Sequence, residues 1–309
     1  MSALPSLRQL AYLVKLSETL HFTQAAQACF VTQSTLSGGI QELERQLGAQ
    51  LVERDRQHVR MTPIGEEVVA RARVLLSMAG DLVAQVTQAA EPMTGLLRVG
   101  AIPTIAPFML PALVRATRER HPRLRILLRE DTTARSLAQV RDGSLDFALI
   151  ALPYDTTGLR VCTLFEDDLW LIAARGDPAV RPTRPSVSQL DPERLLLLEE
   201  GHCLRSHTLA GCGLSERANA SGIEASSVTT LVQMVEEGLG IALLPEMAVR
   251  SGLLEGTTIV ARQMGDPPPR RGIALVARAS TARTVELDTL AEIARTVIVR
   301  PRRRSTASA

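Results

Sequence analysis

Residues 21–48 read His21-Phe22-Thr23-Gln24-Ala25-Ala26-Gln27-Ala28-Cys29-Phe30-Val31-Thr32-Gln33-Ser34-Thr35-Leu36-Ser37-Gly38-Gly39-Ile40-Gln41-Glu42-Leu43-Glu44-Arg45-Gln46-Leu47-Gly48. Thr23 is placed to cap a short alanine-rich helix, Gln24 to Cys29, with Phe22 closing over it. A break at Phe30 and Val31 is followed by Thr32, a good cap for a longer helix that runs to about Leu47 and stops at Gly48. Leu36, Ile40, Leu43 and Leu47 recur at the spacing of a core-facing stripe. The opposite face carries Ser34, Gly38, Gln41 and Arg45, with Ser37 beside it. Taken alone, such a face is an ordinary solvated one. Two helices joined by so short a turn also have helix-turn-helix geometry, and this thin hydrogen-bonding ridge is then suited to a major groove.

Upstream, Leu7, Leu10, Leu13, Val14 and Leu20 predict a first helix against the same core. Downstream, Leu51 to Arg54 and Val59 to Met61 read as two short strands of a wing around Arg56, Gln57 and His58. Arg54, Arg56 and Arg60 are candidate phosphate contacts there. Residues 1–90 hold eight basic and eight acidic groups, so any nucleic-acid contact must be local and repeated in a second copy. Val68, Ala72, Leu75, Ala79, Leu82, Val86 and Ala89 alternate steps of four and three, a heptad-like seam for a dimerising linker helix that ends before Pro92 and Gly95.

The whole chain has 309 residues, 45% hydrophobic and 22% charged, with a formal net charge of +2. That balance fits a folded multidomain protein and excludes a globally basic coat. No apolar run is long enough to span a membrane, and Met1 to Leu20 does not read as a signal peptide, so a cytoplasmic protein is expected. Cys29, Cys162, Cys203 and Cys212 are accordingly not read as structural disulfides, and core packing is the expectation for Cys29 and Cys162.

Beyond Gly95, apolar strands alternate with helices: Leu96 to Ile102, Pro107 to His121, Leu124 to Leu128, Thr133 to Asp142 and Phe147 to Leu152. Later segments are Leu169 to Ala174, Leu195 to Leu198, Thr229 to Gly238, Ile241 to Leu244, Ile273 to Ala277 and Val285 to Val299. The pattern predicts an α/β unit with largely parallel strands, in two lobes, whose ligands sit at strand C-termini. Arg302, Arg303 and Arg304 begin a solvated tail. No nucleophile elbow, P-loop or dinucleotide glycine fingerprint is present, which weighs against an enzyme built on such lobes. His202, Cys203, His207 and Cys212 lack the paired spacing of a zinc site, so neither metal nor cofactor is expected.

The head resembles the LysR-type transcriptional regulators. The residues that carry this are His21 to Ala26, Val31 to Ser37, Ile40 with Leu43-Glu44 and Leu47-Gly48, and Met61-Thr62-Pro63-Ile64-Gly65, with Ser34 where many members have proline. The resemblance implies a winged helix-turn-helix over residues 1–64 and a linker helix over 65–92. A periplasmic-binding-protein-like effector domain of two Rossmann-like lobes over 93–309 would follow. It implies double-stranded promoter DNA as partner, contacted by Thr32, Gln33, Ser34, Thr35, Ser37, Gln41, Arg45 and the wing arginines. Homodimers or homotetramers and contact with RNA polymerase are implied as well.

The second half is similar to the peroxide-sensing members of that family. Leu198-Glu199-Glu200-Gly201-His202-Cys203-Leu204-Arg205 resembles their reactive-cysteine segment, and Cys212 stands at the spacing of its resolving partner. Ala101 to Thr104 with Pro107, Thr133 with Leu137-Ala138-Gln139 and Gly143, and Pro269 to Ile273 match as well. Ser206 and Gly213 depart from the pattern, where an acidic residue and an aromatic are usual. The implied chemistry is oxidation of a Cys203 thiolate by hydrogen peroxide, then capture by Cys212. His202, Arg205, Arg270 or Arg271 would favour the anion, and Thr104 and Thr133 would hold the peroxide oxygens. The cysteines, nine apart in a segment expected to be irregular, meet only if that segment refolds. The competing expectation is a LysR-type regulator with a small anionic effector between its lobes.

Overall fold

The structure is a computed structural model and describes residues 4–54, 59–215, 222–265 and 267–298. It divides into two compact units, one of Met1–Ala90 with Arg141–Ser144 and one of Glu91–Val140 with Leu145–Ala309.

In the head, α1 (Leu7–Thr19) starts with a capping box between Ser6 and Gln9. Helix α2 (Phe22–Ala28) begins earlier than the Thr23 cap suggested, because the His21 ring accepts the Gln24 N–H and caps it instead. Thr23 reaches across the turn to Gln33 Oε1 at 3.1 Å. Helix α3 (Gln33–Leu47) is capped by Thr32 and stopped by Gly48 at φ 65°. Leu36, Ile40 and Leu43 are fully buried against Leu13, Leu16 and Ala25, whereas Leu47 is 41% exposed and leaves the stripe. Strands β1 (Val52–Arg54) and β2 (Val59–Met61) pair antiparallel as the wing. Glu44 on α3 accepts the Leu51 and Val52 N–H groups, which fixes the wing to α3. Arg56 lies outside the described residues, and so does the arginine run of the tail. Helix α4 (Pro63–Ala90) lies along α1 and adds Val69 and Ala72 to the head core.

In the second unit, β3 (Gly95–Ala101), α5 (Ala106–Arg120), β4 (Leu124–Glu130), α6 (Thr133–Asp142) and β5 (Phe147–Leu152) form parallel crossovers, with β3 between β4 and β5. Phe147 to Ala151 are fully buried, as expected for a strand covered on both faces. Next come β6 (Leu159–Ala173), β7 (Leu197–Leu198), α7 (Cys203–Gly211), β8 (Glu224–Ala225), α8 (Val228–Glu236), β9 (Ala242–Pro245), α9 (Glu246–Arg250), β10 (Val260–Gln263), β11 (Arg270–Arg278) and α10 (Thr284–Ile298).

The expectation of largely parallel strands is corrected here. β11 runs antiparallel to both β5 and β6, and β9 and β10 run antiparallel to β6. Residues 159–168 of β6 pair with β11 in the first lobe, and residues 169–173 pair with β9 and β10 in the second. One long strand therefore joins two cores, the first around Leu97, Phe147, Ile273 and Leu290 and the second around Leu171, Leu198, Leu231 and Leu243. The stretch around the two cysteines is corrected too: α7 occupies most of it as a regular helix.

Candidate functional site

Three strand-to-helix junctions converge on Cys203. Thr104 follows β3 ahead of α5, Thr133 opens α6 after β4, and Cys203 opens α7 after β7. Such junctions at strand C-termini are where α/β folds bind ligands. They bound a narrow pocket of about 160 Å³, open mouth included, lined by Ile102, Pro103, Thr104, Thr132, Thr133, Gly201, His202 and Cys203. Cys203, Thr104 and Thr133 are all buried.

The Thr104 hydroxyl lies 4.0 Å from Cys203 Sγ. That hydroxyl accepts from Arg271 Nη1 at 2.8 Å, and Arg271 Nη2 also donates to the Thr104 carbonyl. With a lone pair already engaged, the hydroxyl keeps its own proton for sulfur or for an oxygen bound beside it. Arg271 is itself fixed by Asp167, which accepts from Nε at 3.1 Å and from Nη2 at 2.9 Å. The second Asp167 oxygen accepts the Met247 N–H at the start of α9. Burial pushes the Asp167 carboxyl up, against the opposing pull of Arg271. Two charge-assisted bonds from Arg271 converge on one Asp167 oxygen, and a pair this deeply buried is a rigid prop for the threonine.

Thr133 Oγ1 is buried and lacks a hydrogen-bond partner. A buried hydroxyl left so costs about 1–3 kcal/mol, and a small polar guest in the pocket would satisfy it. His202 caps α7 without a side-chain bond to the helix, and it lines the pocket.

Two of the expected cations are elsewhere. Arg205 donates to the Leu198 carbonyl at 3.2 Å and pairs with Glu224 at 2.8 Å, because two residues along a helix is more than half a turn. Arg270 points away from Arg271, as neighbours on a strand do, and faces Asp168 at 3.5 Å. Asp167 escaped the sequence reading, and His207 entered it only within a zinc set that the spacing rejects. The only signal for Asp167 was three acids, Glu166 to Asp168, inside an apolar strand run. His207 is buried on α7, and burial together with the Arg271 charge lowers its pKa to about 4.

Cys212 caps the C-terminus of α7, and burial pushes its thiol up to about 11. Cys29 and Cys162 are half-buried against the head core and the first-lobe core. Among the described residues no cluster suited to a metal ion occurs.

On the head, Thr32, Gln33, Ser34, Thr35, Gly38 and Gln41 are exposed along α3, with Ser37 half-buried. Thr32 bonds the Ser34 and Thr35 hydroxyls, which orders the first turn. Arg45 is exposed and held by Glu42 in a bidentate pair at 2.7 and 2.5 Å, so it reaches a phosphate only by releasing that partner. Arg60 is exposed on β2, and Arg54 ends β1. Leu75, Met78 and Leu82 are 49%, 58% and 65% exposed on α4.

Residues 7–66 match the bacterial regulatory helix-turn-helix protein of the lysR family, and residues 90–298 match the LysR substrate binding domain. The chain belongs to the LysR family of bacterial regulators: it is a DNA-binding transcription regulator and not an enzyme. Within the family it is OxyR-like. It is 35% identical to the DNA-binding transcriptional dual regulator OxyR of Escherichia coli K12, over 94% of this chain and 95% of that one. It is also 48% identical to the HTH-type transcriptional regulator EstR of Acinetobacter baylyi, over 95% and 97% of the two chains. A full-length OxyR variant from Pseudomonas aeruginosa superposes with a TM-score of 0.82 at 32% identity, covering 98% of this chain and 99% of that one. No helix among the described residues is long and apolar enough to cross a membrane.

Proposed function

We propose that this regulator senses hydrogen peroxide through Cys203 and Cys212. The observation that carries the proposal is the Cys203 sulfur set against a threonine hydroxyl that a buried Arg271–Asp167 pair holds in place, inside a pocket too small for most metabolites. A peroxide suits the residues available: the Thr104 hydroxyl lies 4.0 Å from the sulfur, and Thr133 and His202 line the same pocket. The Cys203 thiolate attacks one peroxide oxygen, the O–O bond breaks, and the departing hydroxide is protonated to water. Cys212 sulfur then attacks the sulfenic sulfur of Cys203, the S–O bond breaks as the S–S bond forms, and the hydroxyl leaves with the Cys212 thiol proton as a second water. One peroxide oxidises two thiols, and the signal is the refolding of α7 that the bond demands.

The remaining roles follow the family architecture. Residues 1–64 act as the winged helix-turn-helix, 65–92 as linker and 93–309 as the effector domain. The exposed Leu75, Met78 and Leu82 stripe of α4 pairs two copies, giving the doubled DNA contact that a locally neutral head requires. Higher assembly to a tetramer, contact with RNA polymerase and a cytoplasmic location belong to the same proposal.

The test is mass spectrometry of the protein after stoichiometric peroxide. The expected product is a Cys203–Cys212 disulfide. The reading is lost if Cys203 stays reduced while a small anionic metabolite changes DNA affinity, the outcome expected of a regulator with an interlobe effector.

A further inference from the structure

The switch helix carries a buried titratable group that neither the thiol chemistry nor the DNA face employs. His207 lies one turn beyond Cys203 on α7, so the two side chains leave the helix on one face. The residue is 7% exposed, its ring donates to the backbone carbonyl of Pro153, and Nδ1 has no hydrogen-bond partner.

Its surroundings come from several elements. β11 contributes Arg271, whose charge acts on the imidazole, and β6 contributes Asp167, which is bonded to Arg271. The segment after β5 contributes the Pro153 carbonyl. Arg205 leaves α7 in another direction and pairs with Glu224. The helix is thus anchored twice. Leu204 and Leu209 belong to the second-lobe core, while Cys203 belongs to the first-lobe core and the acceptor of His207 follows a first-lobe strand.

We propose that His207 fastens α7 to the first lobe only while its ring is neutral, so that acid loosens the same helix that disulfide formation must release. The inference rests on the disulfide-switch reading above. His207 is a positioning residue, since it acts on Cys203 through the helix and not on peroxide. A charged ring would put a second buried cation near Arg271, whose one carboxylate partner, Asp167, is already engaged.

The sign follows from linkage. The docked ring has its pKa lowered from 6.5 to about 4. Docking is therefore at full strength above the ordinary value, weakens as pH falls below it, and levels off near the lowered one. Between about pH 7.5 and pH 5 the loss is roughly thirtyfold in the docking equilibrium.

The experiment is amide hydrogen exchange of the reduced full-length protein at these two pH values, read at the amides of His207 to Cys212 and corrected for intrinsic rates. Wild-type protection should fall at least tenfold on acidification. His207→Gln keeps a donor and cannot titrate, so its protection should be nearly independent of pH. An equal fall in His207→Gln, or no fall in wild type, overturns the proposal. Peroxide-driven disulfide formation in wild type at about pH 7.5 is measured alongside, so failure of the parent reading is seen separately.

Discussion

Cys203 and Cys212 stand at opposite ends of one helix: Cys203 is the first residue of α7 and Cys212 is its C-terminal cap. Nine residues of helical rise separate their Cα atoms by about 13 Å, and nine steps of about 100° turn their side chains to opposite faces. A disulfide requires Cα atoms within about 7 Å. The bond and the helix therefore exclude each other, so the proposed disulfide requires α7 to unwind.

Cys212 is a poor nucleophile while α7 is folded. With its thiol pushed to about 11 by burial, thiolate is scarce near neutral pH and increases tenfold per pH unit until that value is reached. Alkylation of Cys212 in the reduced protein at neutral pH should be about a hundredfold slower than in urea, where the thiol regains its ordinary value of 9.0. Equal rates would mean that the folded helix does not restrain it.

The contributions of the Arg271–Asp167 pair to stability and to Cys203 reactivity should be separable. Arg271→Ala leaves Asp167 buried without its counter-ion and should destabilise the effector unit by about 3–5 kcal/mol in urea melts. Replacing both, as Arg271→Met with Asp167→Leu, should recover most of that loss. Sulfenic acid formation at Cys203 should stay slow in the double variant, since Thr104 has lost its anchor. A double variant as reactive as wild type would remove Arg271 from the chemistry.

Gly211 has a contact reason to be glycine. A Cβ there would lie 2.7 Å from Pro269 Cβ, an atom of a rigid ring. Alanine normally favours a helix over glycine by about 1 kcal/mol, whereas here overpacking should cost about 1–3 kcal/mol of docking. Gly211→Ala should therefore form the disulfide faster than wild type at equal peroxide, as read by thiol-trapping gels. A slower reaction would contradict the docking account.

Two adjacent glycines of α3 should part company. A Cβ at Gly39 would meet the Tyr12 ring at 2.8 Å, while one at Gly38 would meet nothing within 4 Å. Gly39→Ala should lower thermal stability. Gly38→Ala should leave stability equal or higher by up to about 1 kcal/mol, yet weaken promoter binding if this face of α3 approaches DNA closely. Unchanged binding by Gly38→Ala would argue that this part of α3 stands clear of the groove.

The sequence made the head legible because its signals are local. Leu36, Ile40 and Leu43 repeat at helical spacing, and Thr32 and Gly48 mark the ends of their helix. The edges were harder: His21, not Thr23, caps α2, and Leu47 turns outward where α3 ends. In the second unit the strands were readable from apolar runs, but their directions were not, since alternation in burial is the same for parallel and antiparallel pairing. Helix α7 is short and includes Ser206 and Thr208, residues of modest helix propensity, so packing of Leu204 and Leu209 decides it. Thr104, Asp167 and Arg271 are brought together from three segments far apart in the chain, and no local pattern announces such a network.

The most direct measurement is a peroxide titration of promoter binding, with wild type and Cys203→Ser side by side and both starting reduced. Cys203→Ser should bind the promoter as reduced wild type does and show no change at any peroxide concentration that shifts wild type. A Cys203→Ser protein that still responds to peroxide as wild type does would contradict the account, because the sensing atom would then lie elsewhere.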